Sequence, residues 1–208
     1  MQNFKPSFLP SPRRVFFAIT IMIVAAIVGV IAWIEAPNLP RGSGVALVGG
    51  HFEMLNQDGV KVTEKDFAGK PMLMFFGYTY CPDVCPTELQ VMAAALDQLG
   101  DVAKDVQPVF ISIDPERDTP EVLKSYVASF GPRWTGLTGT PEQLAVMAKE
   151  WHVYYEKREN KDSPKDYLMD HSSFVFLMGP DGRFMKHFNY TTDPKAFADA
   201  LSAALKEG

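Results

Sequence analysis

The chain is short of cysteine: its 208 residues contain two, Cys81 and Cys85. Both stand in one stretch, between an apolar run typical of a strand and the start of a helical pattern. Scattered thiols are usually buried structural residues, whereas a lone pair at a strand-to-helix turn is typical of a metal site or a redox site. This stretch is therefore the first candidate for function.

Charged side chains are missing altogether from residues 15–34. As a helix, such a run would be about 30 Å long, the thickness of the hydrocarbon layer of a bilayer. It is too long for the apolar part of a cleaved signal peptide, which usually has about 7 to 15 residues, and no clear small-x-small cleavage site follows it. We therefore predict an uncleaved transmembrane helix at residues 15–34, behind a cytoplasmic N-terminus of residues 1–14.

The charges around this run predict its orientation. Three basic side chains precede it and Glu35 follows it, so the positive-inside rule places the rest of the chain outside. The residues before the run are too few for a mitochondrial transit peptide together with a matrix-side tail, which favours a bacterial inner-membrane protein whose C-terminal domain faces the periplasm. Residues 35–45, rich in proline and glycine, are predicted to be a linker, and residues 46–208 one exported domain.

Basic charge is scarce in this predicted domain. The first 41 residues hold four Lys or Arg and one acidic residue, so the remaining residues hold 16 Lys or Arg against 24 Asp or Glu. An acidic domain of this kind is not expected to bind nucleic acid. Apolar residues make up 47% of the chain, which is typical of a protein that buries a core, and the sequence shows no internal repeat.

Strand and helix patterns alternate along the predicted domain. Residues 50–62 alternate around a turn, which predicts an opening β-hairpin. The other predicted elements are a buried strand at 71–76, a helix at 86–99, a strand at 106–113, helices at 120–130 and 141–151, a hairpin at 174–178 and 183–188, and a final helix at 194–206. This order predicts an α/β, thioredoxin-like fold with an N-terminal β-hairpin extension and an insertion at residues 154–170. The insertion is long enough to be a functional or mobile loop.

The two cysteines lie where the first helix begins. Pro86 is predicted at the first helical position, which places Cys85 at or near the N-cap and Cys81 in the loop before it. A helix N-terminus favours thiolate over thiol, and this raises both nucleophilicity and metal affinity. Thioredoxin-type oxidoreductases have two residues between their cysteines; the third residue here widens the distance between the sulfurs, which favours a metal. A buried inert pair or a structural disulfide is the alternative interpretation.

Proline is absent between Pro164 and Pro180. In the thioredoxin arrangement the loop before the FVFLM strand packs against the cysteine loop, and oxidoreductases usually carry a cis-proline there. His171 stands at that place in this chain. Two thiolates and an imidazole suit copper, since Cu(I) accepts the low coordination number of a three-residue set, whereas zinc usually takes four ligands. The predicted metal ligands are therefore Cys81, Cys85 and His171.

Other metal-capable side chains have structural explanations. A lone histidine is more often a surface or paired core residue than a ligand, and we interpret the remaining three in this way: His51, His152 and His187. Most methionines fall in the transmembrane run or at core positions of the predicted elements. Met169, two residues before His171, is the one methionine for which a ligand hypothesis is worth testing.

The segment from Asp114 to Thr119 follows a strand at the end of the sheet where α/β proteins build their sites. Two interpretations stay open. The segment is either a docking or outer-sphere element, or a capped turn in which Asp118 and Thr119 start a helix and Arg117 pairs locally. Asp83, between the two cysteines, is equally open to a functional and a structural interpretation.

The same residues carry a resemblance to a known family. The chain resembles the Sco/SenC copper-binding proteins, which assist assembly of the copper centre of cytochrome c oxidase, in FFGYTYCPDVCPTEL at 75–89, DPERDTP at 114–120, GLTG at 136–139 and DHSS at 170–173. The resemblance extends over nearly the whole predicted domain. It implies a thioredoxin-like metallochaperone in which Cys81, Cys85 and His171 bind one copper ion, Cu(I) or Cu(II), after reduction of the cysteines.

The resemblance also implies partners, and it leaves the function open between two classes. The partners would be the copper-bearing subunit of cytochrome c oxidase, other copper chaperones or thiol reductants, and the membrane. The first function is a metallochaperone, which is not an enzyme. The second is a thiol-disulfide oxidoreductase with Cys81 and Cys85 as its redox-active pair, which keeps the oxidase subunit or other exported thiols reduced; peroxidase activity is a weaker third. The classes overlap, because oxidation of the pair to a disulfide abolishes a two-thiol copper site.

Overall fold

The computed structural model describes residues 21–24, 26, 48–159 and 166–207. The chain divides into two compact units, Met1–Ala46 and Leu47–Gly208. The predicted N-terminus and linker, most of the predicted transmembrane helix and part of the predicted insertion lie outside the described residues. Within the described ranges, no helix is long and apolar enough to cross a membrane.

Strands of the second unit form two sheets within the described residues. The strands are β1 Glu53–Asn56, β2 Lys61–Thr63, β3 Met72–Gly77, β4 Gln107–Ser112, β5 Thr135–Thr138, β6 Tyr155–Arg158, β7 Leu168–His171, β8 Val175–Met178 and β9 Phe184–Phe188. One sheet has seven strands in the order β2-β1-β5-β4-β3-β8-β9, and β6 pairs with β7 in a separate hairpin. Strands β3, β4 and β5 are parallel, whereas β1 and β8 run antiparallel to their neighbours.

Helices cover and connect the strands. They are α1 Val84–Leu99, α2 Pro120–Ala128, α3 Pro141–Glu150 and α4 Pro194–Glu207. Thr119 and Thr140 cap α2 and α3 by accepting hydrogen bonds from backbone N–H groups, and Thr140 forms the predicted capping box with Gln143. The starts predicted for these two helices are therefore confirmed.

The centre of the large sheet is apolar on both faces. All six residues of β3 are buried, and five of the six in β4 are buried. Helices on both faces of parallel strands require such continuous apolar runs, which is why the pattern at 71–76 predicts a buried strand correctly. The carboxyl ends of β3 and β4 lie side by side and both lead into the candidate site.

Three details differ from the predicted elements. Strand β5 was not predicted, because its short Thr- and Gly-containing sequence gives a weak strand pattern. The described part of the insertion at 154–170 forms the paired strands β6 and β7 rather than a loop. Helix α1 begins at Val84, before the predicted start at Pro86. Proline fits its third position as well as its first, because none of the first four N–H groups has an intrahelical partner.

Candidate metal centre

Three separate elements bring the predicted ligands together. Cys81 lies in the loop after β3, Cys85 in the first turn of α1, and His171 at the last position of β7. The two sulfurs and one imidazole nitrogen all lie within 4.8 Å of one another. Among the described residues, no further His, Cys, Asp or Glu joins this group.

The distances fit a shared metal ion. Two of the ligand atoms, Cys85 Sγ and His171 Nε2, are 3.4 Å apart, and Cys81 Sγ lies within 4.8 Å of both. Donor atoms at such separations can each lie roughly 2.0 to 2.3 Å from one ion, the usual length of bonds from imidazole and thiolate to a metal. Both cysteines are free thiols. Two soft sulfurs and one imidazole are the donor set that suits copper.

The imidazole of His171 is oriented by its surroundings. Its Nδ1 lies 3.0 Å from the backbone carbonyl of Ser172, so Nδ1 carries the proton and donates it to this oxygen. The lone pair of Nε2 is then free toward the sulfurs, as a metal ligand requires. The rings of Phe75 and Tyr78 contact the imidazole edge to face, with centroid distances of 6.0 and 6.1 Å.

The two thiols differ in accessibility. Cys85 is completely buried, while Cys81 and His171 are partly exposed in a cleft of about 320 Å³. Tyr78 and Met169 line the same cleft. An ion or a second thiol can therefore reach Cys81 and His171 from solvent, and it meets Cys85 only at the bottom of the site.

The thiols also differ in acidity. The hydrogen bond from the Cys85 thiol, together with backbone N–H groups, lowers the pKa of Cys81 to about 3, although burial opposes this shift. The hydrogen bond to Cys81 and burial raise the pKa of Cys85. The pair thus shares one proton, with the thiolate at Cys81 and the proton on Cys85, so a metal that takes both sulfurs must displace one proton.

Gly77 leaves the space that the buried sulfur occupies. A Cβ atom at this last residue of β3 would lie 2.7 Å from Cys85 Sγ and 3.0 Å from ring carbons of Phe75 and Phe110. No side chain larger than hydrogen fits without displacing the sulfur. The small residue is therefore part of the site, although it offers no ligand atom.

The segment from Asp114 to Thr119 forms the capped turn that one interpretation predicts, and its role as a docking element stays a prediction. Arg117 does pair locally with Asp114, and Thr119 does cap α2. Asp118, however, is fully buried and accepts hydrogen bonds from the Thr79 backbone N–H at 3.0 Å and the Thr79 hydroxyl at 2.6 Å. Burial raises the pKa of this carboxyl. The segment thus holds the cysteine loop in place.

The other candidates lie apart from the ligand group. His51 pairs with Glu64 at 2.8 Å, His152 is exposed, and His187 contacts two phenylalanine rings. Met169 is buried and lines the cleft, so the hypothesis that it is a ligand stays a prediction. Asp83 is the N-cap residue of α1 but makes no capping hydrogen bond through its side chain.

Three buried residues on or next to the elements that carry the ligands were not predicted from the sequence. Tyr78 and Tyr167 are buried against the ligand loops, and Glu88 is a completely buried carboxylic acid on α1. The Glu88 side chain accepts the Thr191 N–H at 3.3 Å. Its position three residues after Cys85 could have indicated that it is buried, because residues at this spacing share one face of a helix.

Comparisons with known proteins find related sequences. The family model described as SCO1/SenC matches residues 40–206. The mitochondrial SCO1 homolog 1 of Arabidopsis thaliana is 43% identical over 166 residues, which are 79% of this chain and 49% of that protein. The chain thus spans about half the length of this curated relative.

Solved structures share the fold. The structure of Bradyrhizobium japonicum ScoI with copper bound is 44% identical, covers 76% of this chain and 99% of its own, and superposes with a TM-score of 0.68. BsSco is 25% identical, covers 79% of this chain and 96% of its own, and has a TM-score of 0.60. BsSco is described as a member of the Sco family of cytochrome c oxidase assembly proteins that contains a disulfide switch.

Proposed function

Because the chain belongs to the SCO1/SenC family, we propose that it binds one copper ion through Cys81, Cys85 and His171 and assists assembly of cytochrome c oxidase. The observation that carries this proposal is the convergence of two sulfurs and one free imidazole nitrogen within 4.8 Å. The copper in B. japonicum ScoI and the assembly role attributed to the Sco family of BsSco support it. The recipient would be the copper-bearing subunit of the oxidase.

Each ligand has a distinct part in taking up the ion. Cys81 is the accessible thiolate and makes the first bond, since its pKa is lowered and its sulfur faces the cleft. Cys85 then loses the proton that the pair shares. His171 supplies Nε2 without a proton cost, because its proton is held on Nδ1 by Ser172. A three-ligand site suits Cu(I), and its exposed side leaves room for transfer to a partner.

A second function, thiol-disulfide exchange, is favoured by the same difference in accessibility and acidity between the two thiols. An exposed thiolate can attack a disulfide of the oxidase subunit or another exported protein, and a buried neighbouring thiol can then resolve the mixed disulfide. In that step Cys81 and Cys85 together lose two electrons and two protons, and the partner disulfide is reduced to two thiols. The oxidised pair cannot hold copper through two thiolates.

One experiment separates the two functions. The purified chain, reduced and kept anaerobic, is titrated with Cu(I) as wild type, as His171→Ala and as the matched control His187→Ala, beside an insulin-reduction assay. We expect one copper per chain, and a loss of affinity on His171→Ala of at least the 10- to 100-fold typical of an outer-sphere partner. His187→Ala should bind like wild type. A copper affinity that His171→Ala leaves unchanged, together with rapid insulin reduction without metal, would favour the oxidoreductase.

We also propose the topology predicted from charge and hydropathy. Residues 15–34 would anchor the chain in a bacterial inner membrane, with residues 1–14 in the cytoplasm and residues 35–45 as a linker. Residues 46–208 would then work in the periplasm. The absence of charge from residues 15–34 and the basic side chains before them support this arrangement.

A further inference from the structure

We propose that Arg117 is a positioning residue for His171: it clamps the β6–β7 hairpin to the segment that also holds the cysteine loop. The metal readout of this inference rests on the proposed copper binding, whereas its metal-free readout rests on the structure alone. The clamp consists of Arg117, Asp114 and Tyr167.

Arg117 lies at the centre of the clamp. Its Nε donates to the Asp114 carboxylate, and its Nη1 donates to the backbone carbonyl of Tyr167 at 3.0 Å. Its Cζ lies 3.6 Å from the centroid of the Tyr167 ring and 4.7 Å from that of Tyr80, the residue before Cys81. A planar guanidinium can stack on rings and donate sideways at once, which a lysine ammonium cannot do.

Tyr167 fastens the hairpin to the same segment. Its hydroxyl donates to Asp114 Oδ1 at 2.6 Å, and its side chain is buried. Lys157 on β6 adds a second attachment, because its Nζ lies 3.9 Å from the Tyr167 ring centroid and donates to Glu116 at 2.8 Å. Both strands of the hairpin are therefore tied to residues 114–117.

The hairpin needs such an attachment because of its place in the fold. Strands β6 and β7 pair with each other and not with the seven-stranded sheet. Tyr167 directly precedes β7, and His171 is the last residue of that strand. The backbone ladder of the large sheet does not include His171, so the contacts of Tyr167 at the loop end of the hairpin help to set the place of β7 and of His171 above the sulfurs.

The opposite side of the same segment holds the cysteines. Asp118, next to Arg117, receives both hydrogen bonds from Thr79 in the cysteine loop and one from Ser112 at 2.7 Å. Arg117 thus holds the strand that carries His171, and the next residue, Asp118, holds the cysteine loop. The distance between the two halves of the metal site depends on this segment.

A double-mutant cycle in copper affinity tests the inference. The full-length chain is prepared as wild type, Arg117→Lys, His171→Ala and the double variant, with Arg158→Lys as control. Arg158 is an exposed arginine on the same hairpin, paired with Asp170 at 2.7 Å. We expect Arg117→Lys to weaken Cu(I) binding about 10- to 100-fold in wild type and to have no further effect in His171→Ala. An equal loss in both backgrounds, or no loss in either, would overturn the inference.

Hydrogen exchange of the metal-free chain provides the independent readout. Arg117→Lys should speed amide exchange in β6 and β7 while leaving β3 and β4 unchanged, and Tyr167→Phe should have the same effect to a smaller extent because it removes one hydrogen bond. Arg158→Lys should leave amide exchange in β6 and β7 unchanged. Unchanged exchange in the hairpin of Arg117→Lys contradicts the clamp whatever copper does. If wild type bound no copper, the proposed function would fail, and the exchange data would still decide on the clamp.

Discussion

At the scale of single residues, the two thiols share one backbone turn but have opposite properties. Cys81 is accessible and acidic, and Cys85 is buried and holds its proton. The cause is local: the Cys85 thiol is the main group that lowers the pKa of Cys81, and the Cys85 backbone N–H donates to the Cys81 sulfur. Such a pair has one nucleophilic thiolate and one protonated thiol that can bind or react later, which suits both metal uptake and thiol exchange.

The difference in pKa between Cys81 and Cys85 predicts how the rate of alkylation depends on pH. An ordinary thiol, with a pKa of about 8.5, reacts roughly tenfold more slowly for each pH unit below that value. Because the pKa of Cys81 is lowered, its thiolate is present throughout the range above the lowered value. We expect iodoacetamide to modify Cys81 at an almost constant rate from pH 5 to pH 8, measured by peptide mass spectrometry, while Cys85 stays unmodified.

A variant shows whether Cys85 causes this behaviour. Cys85→Ala removes the main hydrogen-bond donor, so the Cys81 pKa should rise and its alkylation should slow at pH 5 more than at pH 8. Serine at the same place keeps a donor and should preserve more of the wild-type rate. Equal reaction of both thiols, or a wild-type rate that falls tenfold per pH unit, would contradict the assignment.

The chemical type of each candidate ligand was readable from the sequence, but its surroundings were not. The two cysteines and the histidine before the FVFLM strand can be identified in the sequence, and the structure brings their side chains together. Asp118 and Tyr167 look like ordinary turn and loop residues, because their partners lie 39 and 53 positions away. Contacts at such separations depend on how loops meet, which local patterns do not encode.

At the scale of elements, long periodic segments were predicted well and short ones were not. The helices and the central strands β3 and β4 occur close to their predicted bounds, because their apolar spacing is dictated by burial. Strand β5 was missed, and the paired strands β6 and β7 were predicted as a loop. These strands have four residues each and owe their conformation to their neighbours.

Helix α1 carries a buried acid that makes the stability of the fold depend on pH. Burial raises the pKa of Glu88 from 4.5 to about 7, with partial compensation by the Thr191 N–H. A carboxyl whose pKa is higher in the folded state stabilises the fold while protonated. That contribution is complete below pH 4.5 and is lost as the pH rises through 7, by at most about 3 kcal/mol.

Glu88→Gln should remove this dependence. Glutamine stays neutral, so the free energy of unfolding from urea titrations should change less between pH 5 and pH 8 than in wild type. At pH 8 the variant should equal or exceed wild type in stability. Asp97→Asn, on the exposed face of the same helix, is the matched control and should keep the wild-type slope. A Glu88→Gln slope identical to wild type would show that Glu88 is ionised throughout.

At the scale of the whole molecule, the proposed anchor determines where the metal site works. We expect the full-length chain, expressed in a Gram-negative host, to remain with membranes after alkaline carbonate extraction, because about 20 apolar residues suffice to span a bilayer. Externally added protease should digest the domain in spheroplasts. Deletion of residues 1–45 should release it. Complete extraction of the intact chain by carbonate would contradict the anchor.

The sequence by itself determined the chemistry and the class of fold: two thiols at a helix start, a histidine where a proline is usual, and apolar runs that require a covered sheet. These are local or periodic properties, and local spacing encodes them. Tertiary structure alone decided which thiol is acidic, which nitrogen of His171 is free, and how Asp118 and Arg117 hold the two halves of the site together. Those properties depend on distances between loops far apart in the chain, and packing sets these distances only when the whole domain has folded.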